Sequence, residues 1–449
     1  RLGIGTVAVY TEPDAGAPYV AEADARVRLQ GNNGYLDIGQ LVAAARSAGA
    51  DAVHPGYGFL SENPDFAVAV IDAGLAWIGP PVEAVRAMGS RIEAKKMMAA
   101  ASVPVLAELD PDTVTAEQLP VLVKASAGGG GRGMRVVHDI AALPAEVAAA
   151  QREAQSAFGD PTVFCERYLA AGHHVAVQVM ADAHGTVRAV GERECSIQRR
   201  HQKVIEEAPS PLVERTPGMR AKLFDAAKSA AEAIGYAGAG TVEFMAPGSG
   251  DFYFLEMNTR LQVEHPVTEA TTGLDLVELQ ILVADGATLD PEPPPSRGSA
   301  IEARLYAEDP AKGWQPQAGT VHRFEVPPGD VRVDTGIEDG SVVSIFYDPL
   351  LAKVISYAPT RRQAATVMAD ALFRARIHGL RTNRDLLVNV LRHPAFLDGA
   401  TDTAFFDMHG LDTLAAPLTD ARKSGSTQTC SSTGRLDTKG TPSASDATS

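Results

Sequence analysis

Cysteine, tryptophan and positive charge are scarce in this chain. Its 449 residues include 3 Cys and 2 Trp, and 40 Lys+Arg stand against 56 Asp+Glu, a formal net charge of -16. That balance argues against a general nucleic-acid or anionic-membrane surface, because both require net positive charge. It leaves room for a local basic pocket that takes a small anion. Cys165, Cys195 and Cys430 form no CxxC pair and no Cys/His pairing at metal spacing. Neither a disulfide framework nor a zinc module is expected, and a reducing compartment, the cytoplasm, is. No run of 18 apolar residues occurs, and the most apolar window, Phe66 to Ile78, is interrupted by Asp72 and Gly74. No membrane span is therefore expected. The opening Arg1-Leu2-Gly3-Ile4-Gly5 reads as neither a signal nor a transit peptide. It starts close to a strand, so an upstream segment is expected to be missing.

What is present is ordinary for a globular protein: 45% hydrophobic and 21% charged residues. At ~100–200 residues per domain, the length suggests two to four domains. Up to Ile78, strand and helix signals alternate. Thr6 to Tyr10 reads as a strand, and Asp37 to Ser47 as a helix closed by Gly49. Ala52-Val53 is a strand, Asn63-Pro64 opens a helix that ends before Gly74, and Ala76 to Ile78 is a strand. This alternation predicts a parallel sheet with helices on its faces. Ser90 to Ala101 predicts a helix carrying Arg91, Lys95 and Lys96. Strands are predicted over 121–124, 175–180, 187–190, 241–245 and 252–257, and an amphipathic helix over Ala221 to Ile234. Pro291-Glu292-Pro293-Pro294-Pro295 is a linker. Beyond it, helices are predicted from Arg361 to Arg376 and around Asp385 to Leu391. From Lys423 onward large apolar residues all but vanish, which predicts disorder.

Segments bearing chemistry follow. Lys124-Ala125-Ser126-Ala127-Gly128-Gly129-Gly130-Gly131-Arg132-Gly133 sits between a strand and the strand-like Met134 to Val137. A dinucleotide loop opens a helix instead, so this reads as a hairpin whose backbone N–H groups fold over phosphates. A merely flexible hairpin is the plain alternative. In Glu256-Met257-Asn258-Thr259-Arg260-Leu261-Gln262-Val263-Glu264, strand alternation would put Glu256, Asn258, Arg260, Gln262 and Glu264 on one face. Glu and Asn oxygens suit Mg²⁺, and Glu243, on the expected hairpin partner, could supply a second carboxylate. A solvated sheet face is the alternative. Glu192 to Glu207, with His201 and Lys203 on one side of an extended chain, reads equally well as a solvated face or an anion site. Cys165-Glu166-Arg167-Tyr168-Leu169, ahead of His174, suits an adenine hinge.

Together these segments, with His54-Pro55-Gly56-Tyr57-Gly58-Phe59-Leu60-Ser61-Glu62-Asn63, Arg199-Arg200-His201-Gln202-Lys203 and Glu264-His265-Pro266, resemble the biotin carboxylase component of biotin-dependent carboxylases. The likeness is strongest to acyl-CoA carboxylase α subunits and covers about residues 1 to 415. It implies an α/β and α+β, ATP-grasp architecture: an N-terminal domain over 1–87 without its first strand, an ATP-grasp domain over 88–290 with a lid at about 100–172, a C-terminal domain over 299–412, and a tail over 423–449. The implied activity is ATP- and bicarbonate-dependent carboxylation of biotin through carboxyphosphate. Arg91, Lys124, Gly130, Gly131, Glu166, Leu169, His174, Gln198 and His201 match ATP-binding positions, and Glu243, Glu256 and Asn258 match ligands of Mg²⁺ or Mn²⁺. Lys203, Arg260, Gln262, Val263 and Glu264 match the bicarbonate site, with Glu264 the base and Arg260 stabilising the enolate. Arg332 matches the arginine that holds biotin and phosphate. The implied partners are a biotin carboxyl carrier protein or domain, a carboxyltransferase subunit and a second copy of the chain.

Departures from the pattern are specific. Arg91 stands where a Lys is usual and Ala176 where a Glu is usual, and no Met-Lys-Met biotinylation tripeptide is present. A catalytically weakened or dead scaffold subunit, or another ATP-grasp carboxylate ligase, are the competing functional readings.

Overall fold

The computed structural model describes residues 2–126, 134–199 and 202–418. Gly130, Gly131, His201 and the tail from Lys423 lie outside the described residues, so the expectations placed on them do too.

Local signals act as expected near the start. Asp37 accepts a hydrogen bond from the Gln40 N–H and opens the helix Ile38–Ser47, and Asn63 does the same for Pro64–Asp72 through Phe66. Gly49 and Gly74, at φ 70° and 76°, occupy the left-handed conformation that ends each helix. Val7–Tyr10 pairs in parallel with Ala25–Arg28, and Ala52–Val53 in parallel with Ala76–Trp77.

A four-stranded antiparallel sheet orders Glu108–Leu109, Val163–Arg167, Val121–Ala125 and Arg135–Val137. The helix Leu143–Phe158 covers it, burying Leu143 and Ala150 against Val121, Val123, Val137 and Cys165.

The largest element is an eight-stranded antiparallel sheet. In spatial order it runs Tyr253–Asn258, Gly238–Ala246, His173–Ala181, Val187–Arg199, Gln202–Ala208, Ser299–Tyr306, Leu350–Ala358 and Val331–Thr335. One continuous sheet thus crosses the Pro-rich linker. All nine residues of His173–Ala181 are buried, yet they alternate in character. Val175, Val177 and Val179 pack with Leu223 and Ala227 of the helix Met219–Ala233, while His174, Ala176 and Gln178 take the other face. That polar face is not solvated. The helix His265–Thr272 lies over part of it, with Thr268 Oγ1 accepting a bond from Arg193. Beyond the linker, the helices Arg361–Arg374 and Arg384–Arg392 bury Met368, Leu372, Leu386 and Leu387.

One local expectation is corrected. The strand that carries Glu256 stops at Asn258, so Arg260, Gln262 and Glu264 stand in the loop before the next helix and not on a strand face.

Candidate active site

Glu243 and Glu256 are Cα partners across adjacent strands, and Asn258 follows two residues along the second strand. Glu243 is the hub. Its Oε2 lies 2.6 Å from His174 Nε2, and its Oε1 accepts from Lys203 Nζ at 2.6 Å and Gln262 Nε2 at 2.7 Å. Gln198 donates to His174 Nδ1 at 3.0 Å, which leaves Nε2 to carry the proton facing Glu243. Burial alone would raise the Glu243 carboxyl. Lys203 and His174 outweigh it and hold the group well below the usual carboxylate range.

Lys203 reaches from Glu243 to Glu264, whose Oε1 accepts at 2.7 Å. The second Glu264 oxygen accepts from Arg304 Nη2 at 2.9 Å. Glu264 has no solvent exposure. Burial would push it up, but Lys203, Arg304 and Arg193 drive it well down. Lys203 is itself raised. Burial disfavours its charge, and the two glutamates more than offset that.

Arg260 is fixed from three sides. Its Nε donates to Glu62 at 2.9 Å, Nη2 to Asn258 Oδ1 at 2.8 Å and Nη1 to Gln262 Oε1 at 3.2 Å. Glu62 comes from the glycine-punctuated N-terminal loop, whose Tyr57 ring lies 5.9 Å from Lys353 Nζ. Lys353 in turn donates to the Val263 carbonyl at 2.9 Å.

A second group of cations gathers beside the smaller sheet, Lys124 from its strand and Arg91 and Lys95 from the helix Arg91–Ala100. Lys124 donates to Glu166 Oε2 at 2.9 Å, and Lys95 pairs with the other oxygen. Burial would raise Glu166, and the two lysines lower it. Arg91, at the start of the helix Arg91–Ala100, donates to the Ala125 carbonyl at 3.1 Å and stands 3.7 Å from Glu256. Leu169 is half-buried.

The sequence-derived residues His174, Gln198, Lys203, Glu243, Gln262 and Glu264 thus meet in one hydrogen-bonded cluster, with Asn258 and Arg260 attached. Arg332 does not join it. Its guanidinium takes Asp334 at 2.8 and 2.9 Å and Glu269 at 2.8 Å, with the side chain 47% exposed. The arginine brought to Glu264 is Arg304, which sequence reasoning missed. Its signal was readable: Glu302 and Arg304 alternate with Ile301, Ala303 and Leu305 in a strand otherwise apolar. Lys95 was visible too, four residues after Arg91 on one helix. Glu62 was visible only as part of a motif, with no partner to assign.

Glu243, Glu256 and Asn258 offer hard oxygen donors, the set that Mg²⁺ prefers. Among the described residues, no group of three or more His, Cys, Asp or Glu gathers as a metal site. Two carboxylates and an amide oxygen fit an ion that completes its shell with phosphate and water.

Three family models match in tandem: Biotin carboxylase, N-terminal domain, over 1–85; Carbamoyl-phosphate synthase L chain, ATP binding domain, over 85–292; and Biotin carboxylase C-terminal domain over 302–408. A biotin carboxylase of Halalkalibacterium halodurans is 44% identical over 425 residues, covering 91% of this chain and 93% of that one. The methylcrotonoyl-CoA carboxylase subunit alpha of Oryza sativa is 46% identical over 432 residues, covering 92% of this chain. The chain spans 58% of that relative's length. Among solved structures, the biotin carboxylase domain dimer of Hydrogenobacter thermophilus 2-oxoglutarate carboxylase, with MgADP and bicarbonate, superposes with a TM-score of 0.88 at 39% identity. It covers 93% of this chain and 94% of that one. A Campylobacter jejuni biotin carboxylase superposes at 0.87 and 40% identity, covering 91% and 94%.

Proposed function

The chain belongs to the biotin carboxylase family, and on that footing we propose that it carboxylates biotin on a carrier protein, using MgATP and bicarbonate, as the first half-reaction of an acyl-CoA carboxylase. The observation that carries this reading is Glu264, a carboxylate sealed from solvent and gripped by Lys203 and Arg304.

Glu264 takes the bicarbonate proton while a bicarbonate oxygen attacks the γ-phosphorus of ATP and ADP departs. Carboxyphosphate splits into CO2 and phosphate. Phosphate removes the N1 proton of biotin, and N1 of the enolate forms the new bond to CO2. With both cations on it, Glu264 is a weak base. A bicarbonate bound among Lys203, Arg260, Gln262 and Val263 shares Lys203 with Glu264, so the Glu264 proton affinity climbs. Arg260, locked by Glu62, Asn258 and Gln262, presents its charge to the enolate oxygen without reorganising.

Glu243, Glu256 and Asn258 would hold Mg²⁺ or Mn²⁺, which would neutralise phosphate charge. Arg91, Lys124, Gly130, Gly131, Glu166, Leu169, His174, Gln198 and His201 serve the nucleotide, and Lys95 joins them through Glu166. Arg332 is assigned the biotin- and phosphate-side role that the resemblance gives it, and Arg304 holds Glu264 from behind. The domains are taken as 1–87, 88–290 and 299–412, near the family-model boundaries. A biotin carrier, a carboxyltransferase subunit and a second copy of the chain are the proposed partners, and the cytoplasm the proposed location. No helix among the described residues is long and apolar enough to cross a membrane.

A weakened enzyme is the second reading, favoured by one observation. Arg193 is fully buried and, among the described residues, hydrogen-bonds to neutral Gln178, Thr241 and Thr268 and to no carboxylate, opposite Ala176.

ADP release with free biotin tests both. Release that requires bicarbonate and yields carboxybiotin supports the enzyme, and a low kcat marks it as weakened. ATP turnover indifferent to bicarbonate, or none, overturns the assignment.

A further inference from the structure

Behind Arg304 lies a second pair of carboxylates that the reaction above does not use. Glu206 Oε1 accepts from Arg304 Nε at 2.5 Å, while Glu264 takes Nη2. Glu206 Oε2 and both oxygens of Glu302 are sealed from solvent and receive no donor from the described protein groups. Glu206 and Glu302 are Cα partners on adjacent antiparallel strands. That register sets their Cβ atoms about 4.5–5.5 Å apart on one face.

Two buried carboxylates side by side, with three unmatched oxygens, cannot both remain charged. One proton resolves the conflict: a protonated carboxyl on Glu302 donates to Glu206 and leaves Glu206 anionic against Arg304. We propose that Glu206 and Glu302 form an acid–carboxylate pair that positions Arg304, and through Arg304 orients Glu264.

Electrostatics agree with the geometry. Burial, then the neighbouring Glu206, pushes the Glu302 carboxyl well up. Burial also lifts Glu206 to about 6, against the pull of Arg304. The charged groups around Glu302 are Glu206 from one neighbouring strand, Lys353 from the other, Arg304 from its own strand and Glu264 from the loop beyond. Lys203 adds its charge beside Glu206. The overlying helix His265–Thr272 contributes His265 and Glu269, whose Nδ1 and Oε1 lie 2.9 Å apart. The helix Arg361–Arg374 packs on the opposite face, where Arg361 takes Glu207 at 2.9 Å.

The role of the pair in orienting Glu264 rests on the proposed function, whereas its protonation does not, so the test has two independent arms. Infrared spectra of the full chain near pH 7 should contain the C=O stretch of a protonated carboxylic acid, absent from Glu302→Gln. An unchanged band in that variant, or no band in the parent, overturns the pair even if the protein has no carboxylase activity. In bicarbonate-dependent biotin carboxylation, Glu302→Gln should move the alkaline fall in kcat to higher pH, because its amide donates at every pH. Glu302→Leu, which fills space but cannot donate, and Glu206→Gln, which takes the charge from Arg304, should lower kcat about tenfold or more with the KM for ATP unchanged. Identical pH profiles for parent and Glu302→Gln, or equal behaviour of the Gln and Leu variants, overturn the positioning role.

Discussion

Ala176 stands directly across the sheet from Arg193, the largest fully buried side chain among the described residues. Arg193 donates to three neutral oxygens at 2.8, 3.0 and 3.1 Å, and its Nε has no hydrogen-bond partner among the described residues. A buried cation that hydrogen-bonds to no carboxylate among the described residues, and feels only the more distant Glu264, is costly to hold. Ala176→Glu would place a carboxylate directly across the sheet from Arg193, and is expected to raise kcat for biotin carboxylation more than it alters the KM for ATP. A gain of about tenfold corresponds to ~1.4 kcal/mol of transition-state stabilisation. Steady-state kinetics with each substrate varied in turn check this. An equal or lower kcat would mean that position 176 is peripheral.

Glu243→Gln and Glu256→Gln each remove one of two facing carboxylates. Turnover should fall by roughly two orders of magnitude or more, and the Mg²⁺ requirement should rise, because phosphate charge loses its counterbalance. Rates measured across a magnesium titration decide it. Near-parental activity of both variants at the same magnesium concentration would remove these residues from the metal site.

Arg304 and Arg332 should separate cleanly. Arg304 is buried between Glu206 and Glu264, whereas Arg332 pairs with Glu269 and Asp334 at an exposed edge. Arg304→Gln is expected to cut kcat about a hundredfold by releasing Glu264, and Arg332→Ala to raise the KM for biotin while also lowering kcat. A KM for biotin unchanged in Arg332→Ala would remove Arg332 from the biotin site.

Asp182 ties a turn to the segment ahead of the Pro-rich linker. Its carboxylate accepts from the His184, Thr186 and Leu289 N–H groups at 2.8, 2.9 and 2.8 Å. Burial would raise it, but the N–H donors outweigh burial and hold it at about 2. A carboxyl depressed in the fold stabilises fully above its unfolded value of about 4 and loses that stability as pH falls towards 2. Asp182→Asn should cost roughly 1–3 kcal/mol near pH 7, because one buried N–H group loses its acceptor. Urea unfolding of both proteins should show that difference shrinking between about pH 5 and pH 2. A constant difference across that range would refute the account.

Much of the site was legible in residue order because its groups sit at fixed short spacings. Glu256 and Asn258 lie two apart on a strand, so alternation alone gives them one face, and Asp37 and Asn63 cap helices through bonds that span three residues. The same alternation failed past Asn258, because the strand ends there and hydrogen bonds, not pleat, bring Arg260 and Gln262 back to Asn258 and Glu243. What the sequence by itself determined was local: the caps, the alternating strands, the hairpin flanks and the list of chemical groups. Which groups meet was decided by the tertiary structure. Glu264 reaches Arg304 across 40 positions and Glu206 reaches it across 98. Such pairings depend on the order of strands in the sheet, and the free energy that selects this order comes from burying both of its faces at once.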